Sequence, residues 1–339
     1  MPKSNFVKLG TSGLQVSRLC LGTMMFGDQT NATEAASIMT AALDHDVNFI
    51  DTADVYTTGA AEAMLAPLLK NQRHRFILAS KLGNKMSELP NEAGYSRTWI
   101  ARAIEGSLNR LQTDYLDVYY LHRDNPGMDL EEPVRAMGDL IAQGKIRAWG
   151  VSNFRGWRIA QIVELARRMN VPPPAVCQPY YNLLNRMPEV EILPACNAYG
   201  LAVVPYSPIA RGVLTGKYKV GEPPAENTRA GRKDSRILQT EFRQESLAVA
   251  EQLKVRANAL GISLLQYACA WVLRNQIITS VIAGPRTLEQ WLDYFACLSV
   301  QLTDEDETLV NSLVAPGHPS TPGYHDPAYP FAGRLLPAA

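Results

Sequence analysis

Three ionisable residues each follow a short apolar run. Asp51 closes Asn48-Phe49-Ile50, Lys81 closes residues 76–80, and His122 closes residues 115–121. Runs of this kind, with turn-prone flanks, read as strands buried on both faces. A titratable residue at the end of each is more than packing requires. Tyr56 comes five residues after Asp51. A phenol has an ordinary pKa of about 10 and gives up its proton reluctantly at neutral pH. A neighbouring ammonium favours the phenolate and lowers that pKa. Lys81 is the candidate ammonium, and Asp51 can pair with it where burial would otherwise make its charge costly. His122 supplies a second donor for the same oxygen. Together the four suit protonation of the oxyanion that develops when a carbonyl accepts hydride, with Tyr56 as general acid. Each has a plainer reading when taken singly: a half-buried tyrosine, a turn cap, a surface lysine, a histidine satisfied by a backbone carbonyl. Their joint placement at successive strand ends favours the chemical one.

Short strands alternating with amphipathic helices must do the positioning. Residues 6–16 read as a hairpin turning at Gly10-Thr11-Ser12-Gly13. A strand at 19–22 leads to a helix at 34–43, with Thr33 as its cap. The strand ending at Asp51 precedes a helix at 60–69. The strand ending at Ser80 precedes a helix at 97–111, with Ile100, Ile104, Leu108 and Leu111 on one face. Strand 115–121 is followed by helix 131–143, and strand 146–151 by a helix holding Ile159, Ile162, Val163 and Leu165. Three strands remain: 175–177 ending at Gln178, 201–205 ending at Tyr206-Ser207, and, after a polar loop and two helices, 278–283 ending at Gly284-Pro285-Arg286. Eight strand–helix units predict an α/β protein built as a closed (β/α)8 TIM barrel, one domain over 1–339. A hairpin cap over 1–17 and an extra C-terminal helix with an irregular tail over 316–339 complete it. A doubly wound open sheet is the alternative, but it would want a GxGxxG turn after its first strand, and residues 21–27 do not supply one. In a parallel barrel the chemistry gathers at the C-terminal ends of the strands. That is where Asp51, Lys81, His122, Ser152, Asn153, Gln178, Ser207 and Arg286 fall.

Composition narrows the partner. Lys plus Arg and Asp plus Glu both number 33 in 339 residues, so no global field attracts nucleic acid or an anionic membrane. The five cysteines show no CxxC pair or metal spacing, which reads as a reduced, cytoplasmic protein. The N-terminus lacks a signal-peptide pattern, and no apolar run approaches the roughly 20 residues of a membrane span. A small neutral carbonyl compound is the expected partner, and a homo-oligomer is open. No metal is expected.

The chain resembles the aldo-keto reductase superfamily over nearly its whole length, most of all the branch holding bacterial reductases and the beta subunits of voltage-gated potassium channels. The resemblance rests on the Asp51, Tyr56, Lys81 and His122 set, on Gly150-Val151-Ser152-Asn153-Phe154, Gln178, and Tyr206-Ser207-Pro208. It rests also on Arg211-Gly212-Val213-Leu214-Thr215-Gly216-Lys217-Tyr218 and on Gly284-Pro285-Arg286. It implies NADPH as cofactor. Ser152, Asn153 and Gln178 would hold the nicotinamide carboxamide and Tyr206 would stack on the ring. The loop from Ser207 to Lys217, with Pro208, Ile209, Gly212 and Leu214, would wrap the pyrophosphate, Arg211 and Lys217 neutralising it. Gly22, Thr23, Gly284 and Gln290 would complete the cofactor set. Arg286, beside a helix start, matches the adenosine 2′-phosphate site, which favours NADPH over NADH. The chain departs from the family's pattern after Gln290, where Asp293 is followed by Tyr294 instead of Asn. Arg229, Arg232, Lys233 and Arg236 read as a solvated face.

Met24, Met25 and Phe26, following the first barrel strand, would give an adaptable apolar substrate pocket. Arg123, next to His122, could bind a polar tail, or pair with Asp124. Three other functions stay open: a cofactor-sensing subunit with vestigial turnover, a Schiff-base lyase acting through Lys81, and, last, a metal hydrolase.

Overall fold

The structure is a computed structural model that describes residues 6–125 and 127–330. Strands β1 (Phe6–Lys8) and β2 (Gln15–Ser17) form an antiparallel hairpin. Eight parallel strands follow among the described residues: β3 (Leu19–Gly22), β4 (Phe49–Asp51), β5 (Ile77–Leu82), β6 (Leu116–Leu121), β7 (Ile146–Ser152), β8 (Val176–Gln178), β9 (Ala202–Val203) and β10 (Val281–Ala283). Neighbours in sequence are neighbours in the sheet, and β10 returns to pair with β3. The ring closes between β9 and β10 through single bonds. Thr279 N–H donates to the Val203 carbonyl at 2.8 Å and Ile282 N–H to the Pro205 carbonyl at 3.0 Å. This is the (β/α)8 barrel with its hairpin cap.

The differences from the sequence reading lie at element ends. The strands expected over 201–205 and 278–283 shrink to Ala202–Val203 and Val281–Ala283. Pro205 has no N–H to offer a ladder, and the seam is held by isolated bonds. The first helix runs Ala32–Asp44, and its cap is Asn31, not Thr33: the Asn31 side chain accepts the Glu34 N–H at 2.9 Å. Asn is the stronger cap of the two types. The helix Arg97–Leu111 has the bounds the apolar stripe predicts, capped by Ser96. The extra helix is Asp304–Leu313. The stretch after it forms no helix up to residue 330, and Ser320 N–H donates to the Leu184 carbonyl at 2.9 Å. Of the expected cap and tail, residues 1–5 and 331–339 lie outside the described residues.

Two apolar clusters separate inside from outside. Helices pack over the outward residues of the strands in the larger cluster. The smaller one fills the barrel with Cys20, Phe49, Ala79, Val118, Val176 and Val204, and the hairpin plugs it from below with Leu9 and Val16. Successive strand residues alternate between faces. Stepping two residues up from Phe49, Ala79, Tyr120, Gly150, Val176 and Val204 therefore gives Asp51, Lys81, His122, Ser152, Gln178 and Tyr206. The polar site is the barrel's own next interior layer.

The hairpin's seat depends on Gly10. Its φ is +55°, and an added Cβ would lie 2.1 Å from the Ala175 carbonyl oxygen and 2.7 Å from Ala202 N. Left-handed strain alone costs about 1–2 kcal/mol, so Gly10→Ala is expected to lower the stability measured by urea unfolding by about 2–4 kcal/mol. Gly13→Ala, in the same turn but with nothing within 4 Å of the new carbon, is expected to change it by less than about 0.5 kcal/mol. Equal effects would refute this account of the cap.

Candidate active site

Lys81 is wholly buried at the end of β5, and its three N–H bonds are all used. It pairs with Asp51 Oδ1 and donates to the Thr52 carbonyl at 2.7 Å and to the Tyr56 phenol at 3.1 Å. The second Asp51 oxygen accepts from Gln178 Nε2 at 2.8 Å. Burial pushes the ammonium's pKa down, but the Asp51 charge and the phenol push harder the other way, to about 12. Lys81 is therefore a cation at neutral pH. With no lone pair to spare it is poorly placed to attack a carbonyl, which weighs against the Schiff-base reading.

Tyr56 opens a tight turn five residues past the end of β4, its ring edge-on to His122 with centroids 6.1 Å apart. The expectation that Lys81 lowers the phenol's pKa is met only in part. Lys81 does pull it down, but burial raises it further, and the phenol lies above its ordinary value. The acid is loaded at every ordinary pH. His122 is pulled well below the usual imidazole range by burial first, then by Lys81 and Arg123. It is neutral, and its Nδ1 lies 2.9 Å from the Asn84 side-chain nitrogen. An amide NH2 can only donate, so the ring proton is on Nε2, available to the cavity that His122 lines.

That cavity, about 570 Å³, opens at the C-terminal mouth of the barrel. Asp51, Tyr56, His122, Ser152, Asn153, Gln178 and Tyr206 all line it. Asn153 sits at φ +59°, its amide donating to the His122 carbonyl and to Ser152 Oγ, both at 3.0 Å, while its oxygen accepts from Tyr206 at 2.7 Å. Tyr206 lies against Tyr180 on its other side, with centroids 5.6 Å apart. Gly22, Thr23, Ser207, Pro208, Ile209 and Gly212 line the walls, as do Lys217, Gly284, Arg286 and Gln290. Leu214 does not: it is buried in the outer core. Met24 and Met25 line the mouth. Phe26 turns away from it and is 0% exposed in the core, because its amide bonds back to the Thr23 carbonyl and folds the loop inward. Arg123 is exposed and does not line this cavity. Asp124 pairs with Arg158 at 3.0 Å, not with Arg123.

The far end is cationic. Arg211, Lys217, Arg229, Arg232, Arg236 and Arg286 all line the cavity, so the reading of the half-buried Arg229 and Arg236 as a solvated face is corrected, while Arg232 and Lys233 are exposed as that reading expects. The polar loop that carries them folds back over the mouth. Arg211 pairs with Glu241 at 2.5 Å, Arg229 with Asp234 at 3.0 Å and Arg236 with Asp326 at 2.7 Å. Lys217, Arg232 and Arg286 form no ion pair within 4.0 Å among the described residues. Burial lowers the pKa of Lys217, and the Arg286, Arg232 and Arg229 charges lower it further. The folded chain thus holds a repulsion that an anion would relieve. No cluster of three or more His, Cys, Asp or Glu residues suited to a metal occurs among the described residues, and none of their helices is long and apolar enough to cross a membrane.

The family model of the aldo/keto reductases matches residues 18–315. The chain belongs to the aldo/keto reductase family. It is similar to a protein of Oryza sativa subsp. japonica named "Probable voltage-gated potassium channel subunit beta", with 36% identity over 320 residues, 91% of this chain and 97% of that protein. A protein of the same name from Arabidopsis thaliana is 36% identical over 286 residues, 82% of this chain and 86% of its own length. The aldo/keto reductase match ends before the segment that brings Tyr329 to the cavity wall.

Sequence reasoning missed Asn84, Gln29 and Tyr329, and it left Asp54 without a role. Asn84 had a signal, a polar residue three positions beyond Lys81 at a strand end. Asp54 had another, a second carboxylate in the Asp51-Thr52-Ala53-Asp54 run. Asp54 is 1% exposed and neither carboxyl oxygen has a hydrogen-bond partner. Burial, then the Glu62 charge, push it up to about 7, with the nearby Val55 backbone N–H, too poorly placed for a full hydrogen bond, and the Arg110 and Lys81 charges opposing. An unfolded Asp titrates at about 3.9, so between about pH 4 and pH 7 the folded chain binds the extra proton. Stability falls as pH rises through that window and levels off above it, by at most about 4 kcal/mol. In Asp54→Asn this loss is absent, so melting temperatures of parent and variant should diverge from pH 5 to pH 8, the variant gaining at pH 8. Parallel profiles would remove Asp54 from the account.

Proposed function

We propose that the protein is an NADPH-dependent reductase of aldehydes or ketones, with Tyr56 as general acid. The observation that carries the reading is the 3.1 Å contact between the Tyr56 phenol and a Lys81 ammonium with no other use for its third N–H. Tyr56 donates its proton to the substrate's carbonyl oxygen, and the charge left on the phenol lies against Lys81. Asp51 and Gln178 hold the lysine in place. Neutral His122 donates from Nε2 to the same oxygen without adding a second cation beside Lys81. When bound, the reduced nicotinamide would supply the hydride. Ser152, Asn153 and Gln178 would hold its carboxamide and Tyr206 its ring. Lys217, Arg232 and Arg286 suit its phosphates, and Arg211 reaches them only by sharing itself with Glu241. The single-domain reading of 1–339 goes with this proposal.

A second reading has specific support: both relatives are named as channel subunits. On that reading the same site retains the nucleotide and turnover is vestigial. The two separate on rate.

Loss of NADPH absorbance with a panel of aldehydes and ketones is the test. Tyr56→Phe should lower kcat by roughly 10²–10⁴-fold with nucleotide affinity unchanged. A silent wild type that binds NADPH tightly favours the sensing role, and one that neither binds nor turns over removes both. Arg286→Ala should weaken NADPH by about tenfold or more and leave NADH nearly unchanged, followed by nucleotide fluorescence titration. Equal weakening would overturn the 2′-phosphate assignment.

A further inference from the structure

A second cavity, of about 420 Å³, has no part in the reading above. It lies between the loops that follow β7 and β8 and the C-terminal segment 317–329. Phe154, Pro179, Tyr180, Met187, Val190 and Ile192 make most of its wall apolar, with Arg155, Glu191, His325 and Asp326 among the polar residues that also line it. Asn153 and Tyr329 line this cavity and the first one alike, so the two volumes adjoin beside the residues assigned to the carboxamide. Tyr180 belongs to the second cavity and is stacked on Tyr206, which belongs to the first.

The roof is built, not draped. Asn185 and Pro319 form a bridge, and Arg186 N–H donates to the His318 carbonyl at 3.0 Å. Arg236 grips both oxygens of Asp326 at 3.0 and 2.7 Å, and Arg155 donates to the Tyr329 carbonyl at 2.7 Å. Arg236 is thereby spent on the chain's own carboxylate and Arg155 donates to a backbone carbonyl, so that, although Arg155, Glu191, His325 and Asp326 edge the cavity, most of its wall suits neutral, apolar matter. An apolar cavity of roughly 150 Å³ is enough to hold a benzene. This one has room for a ring and part of the chain that carries it.

We propose that the second cavity is a subsite for the ring-bearing, uncharged end of the substrate, whose carbonyl lies in the first cavity beside Tyr56. The inference rests on the reductase reading of that first cavity and names its substrate class: neutral aryl-substituted alkyl aldehydes or ketones, with a linker of defined length between ring and carbonyl. Asn153 and Tyr329 form the sill over which the linker passes.

The test uses butanal and a series of ω-phenylalkanals with two to five methylenes, with NADPH. Val190 is 68% exposed, so Val190→Trp narrows the cavity with little threat to folding, and Met187→Trp is a second filling variant. In the wild type, KM should pass through a minimum along the series, about tenfold or more below that of butanal. In the variants it should return to the butanal level, with kcat and KM for butanal unchanged. A series without a minimum, or variants that alter butanal and the phenylalkanals alike, would overturn the subsite. Calorimetric titration with 4-phenylbutan-1-ol separates this inference from the reductase reading. Should no aldehyde be reduced, binding of the alcohol to the wild type and its loss in Val190→Trp would keep the subsite while the reductase reading falls. No binding, or binding equal in both proteins, would sink the subsite whatever the turnover.

Discussion

An ammonium without water is the constraint that organises the upper end of this barrel. Removing a charge of that size from solvent costs several kcal/mol even after the surroundings relax, and the chain offsets this at Lys81 by supplying one partner for each N–H. Asp51 comes from the neighbouring strand, where its Cα pairs with Ala79 across the β4–β5 ladder. Thr52, the next residue, contributes its carbonyl, and its own N–H still donates to the Ala79 carbonyl at 2.9 Å, as the Asp54 N–H does to the Lys81 carbonyl at 3.2 Å, which keeps this stretch against β5. The third N–H falls to Tyr56. If Asp51 were absent, the same lysine would have a strong reason to shed its proton, and the phenol would lose the charge that stabilises its conjugate base. The carboxylate thus acts on Tyr56 through the lysine, while Gln178 fixes the carboxylate from the opposite side of the barrel.

Charge along the cavity is graded. Near Tyr56 one cation is balanced by one anion, and His122 is kept neutral by burial and by the Lys81 charge. Towards Arg286 three cations go without a carboxylate among the described residues. A chain with equal numbers of acidic and basic side chains has no long-range field to draw in an anion, so any attraction is local to this end of the mouth. The grading separates two tasks in one cavity: a site for proton transfer whose charges are already matched, and an anchor whose charges are not.

How much of this was legible in sequence follows from which geometry set each feature. Strand ends were legible because alternation along a strand is rigid. Once 49–51, 77–82 and 116–121 are strands, Asp51, Lys81 and His122 must share the barrel's inner face. Features fixed by the folding of loops were not. Arg229, Arg232 and Arg236 look like any basic stretch until the loop folds back over the mouth. Phe26 looks like a neighbour of Met24 and Met25 until the turn at Thr23 sends it into the core. Arg211 looks free until Glu241, 30 residues on, proves to be its partner. The sign of the Tyr56 shift also escaped, because the attraction of Lys81 can be read from chain order and the opposing burial cannot.

Placement of the general acid completes the argument, since a phenol on a loose turn would not keep a 3.1 Å contact. Thr57 and Thr58 follow Tyr56 with φ of 48° and 52°, a left-handed conformation that β-branched residues adopt only under restraint. The restraint is visible one turn on. Glu62, fully buried, accepts from Arg110 at 2.7 Å and from Ser80 at 2.5 Å, and the Arg110 side chain lies so close over Gly59 that a Cβ there would stand 2.7 Å from its Cδ. Ser80 immediately precedes Lys81 on β5. The strained turn is therefore bolted to the strand that carries the lysine: phenol and ammonium are held in register by the chain from Tyr56 to Glu62 and by the hydrogen bond from Ser80 to Glu62, whose carboxylate Arg110 holds in place.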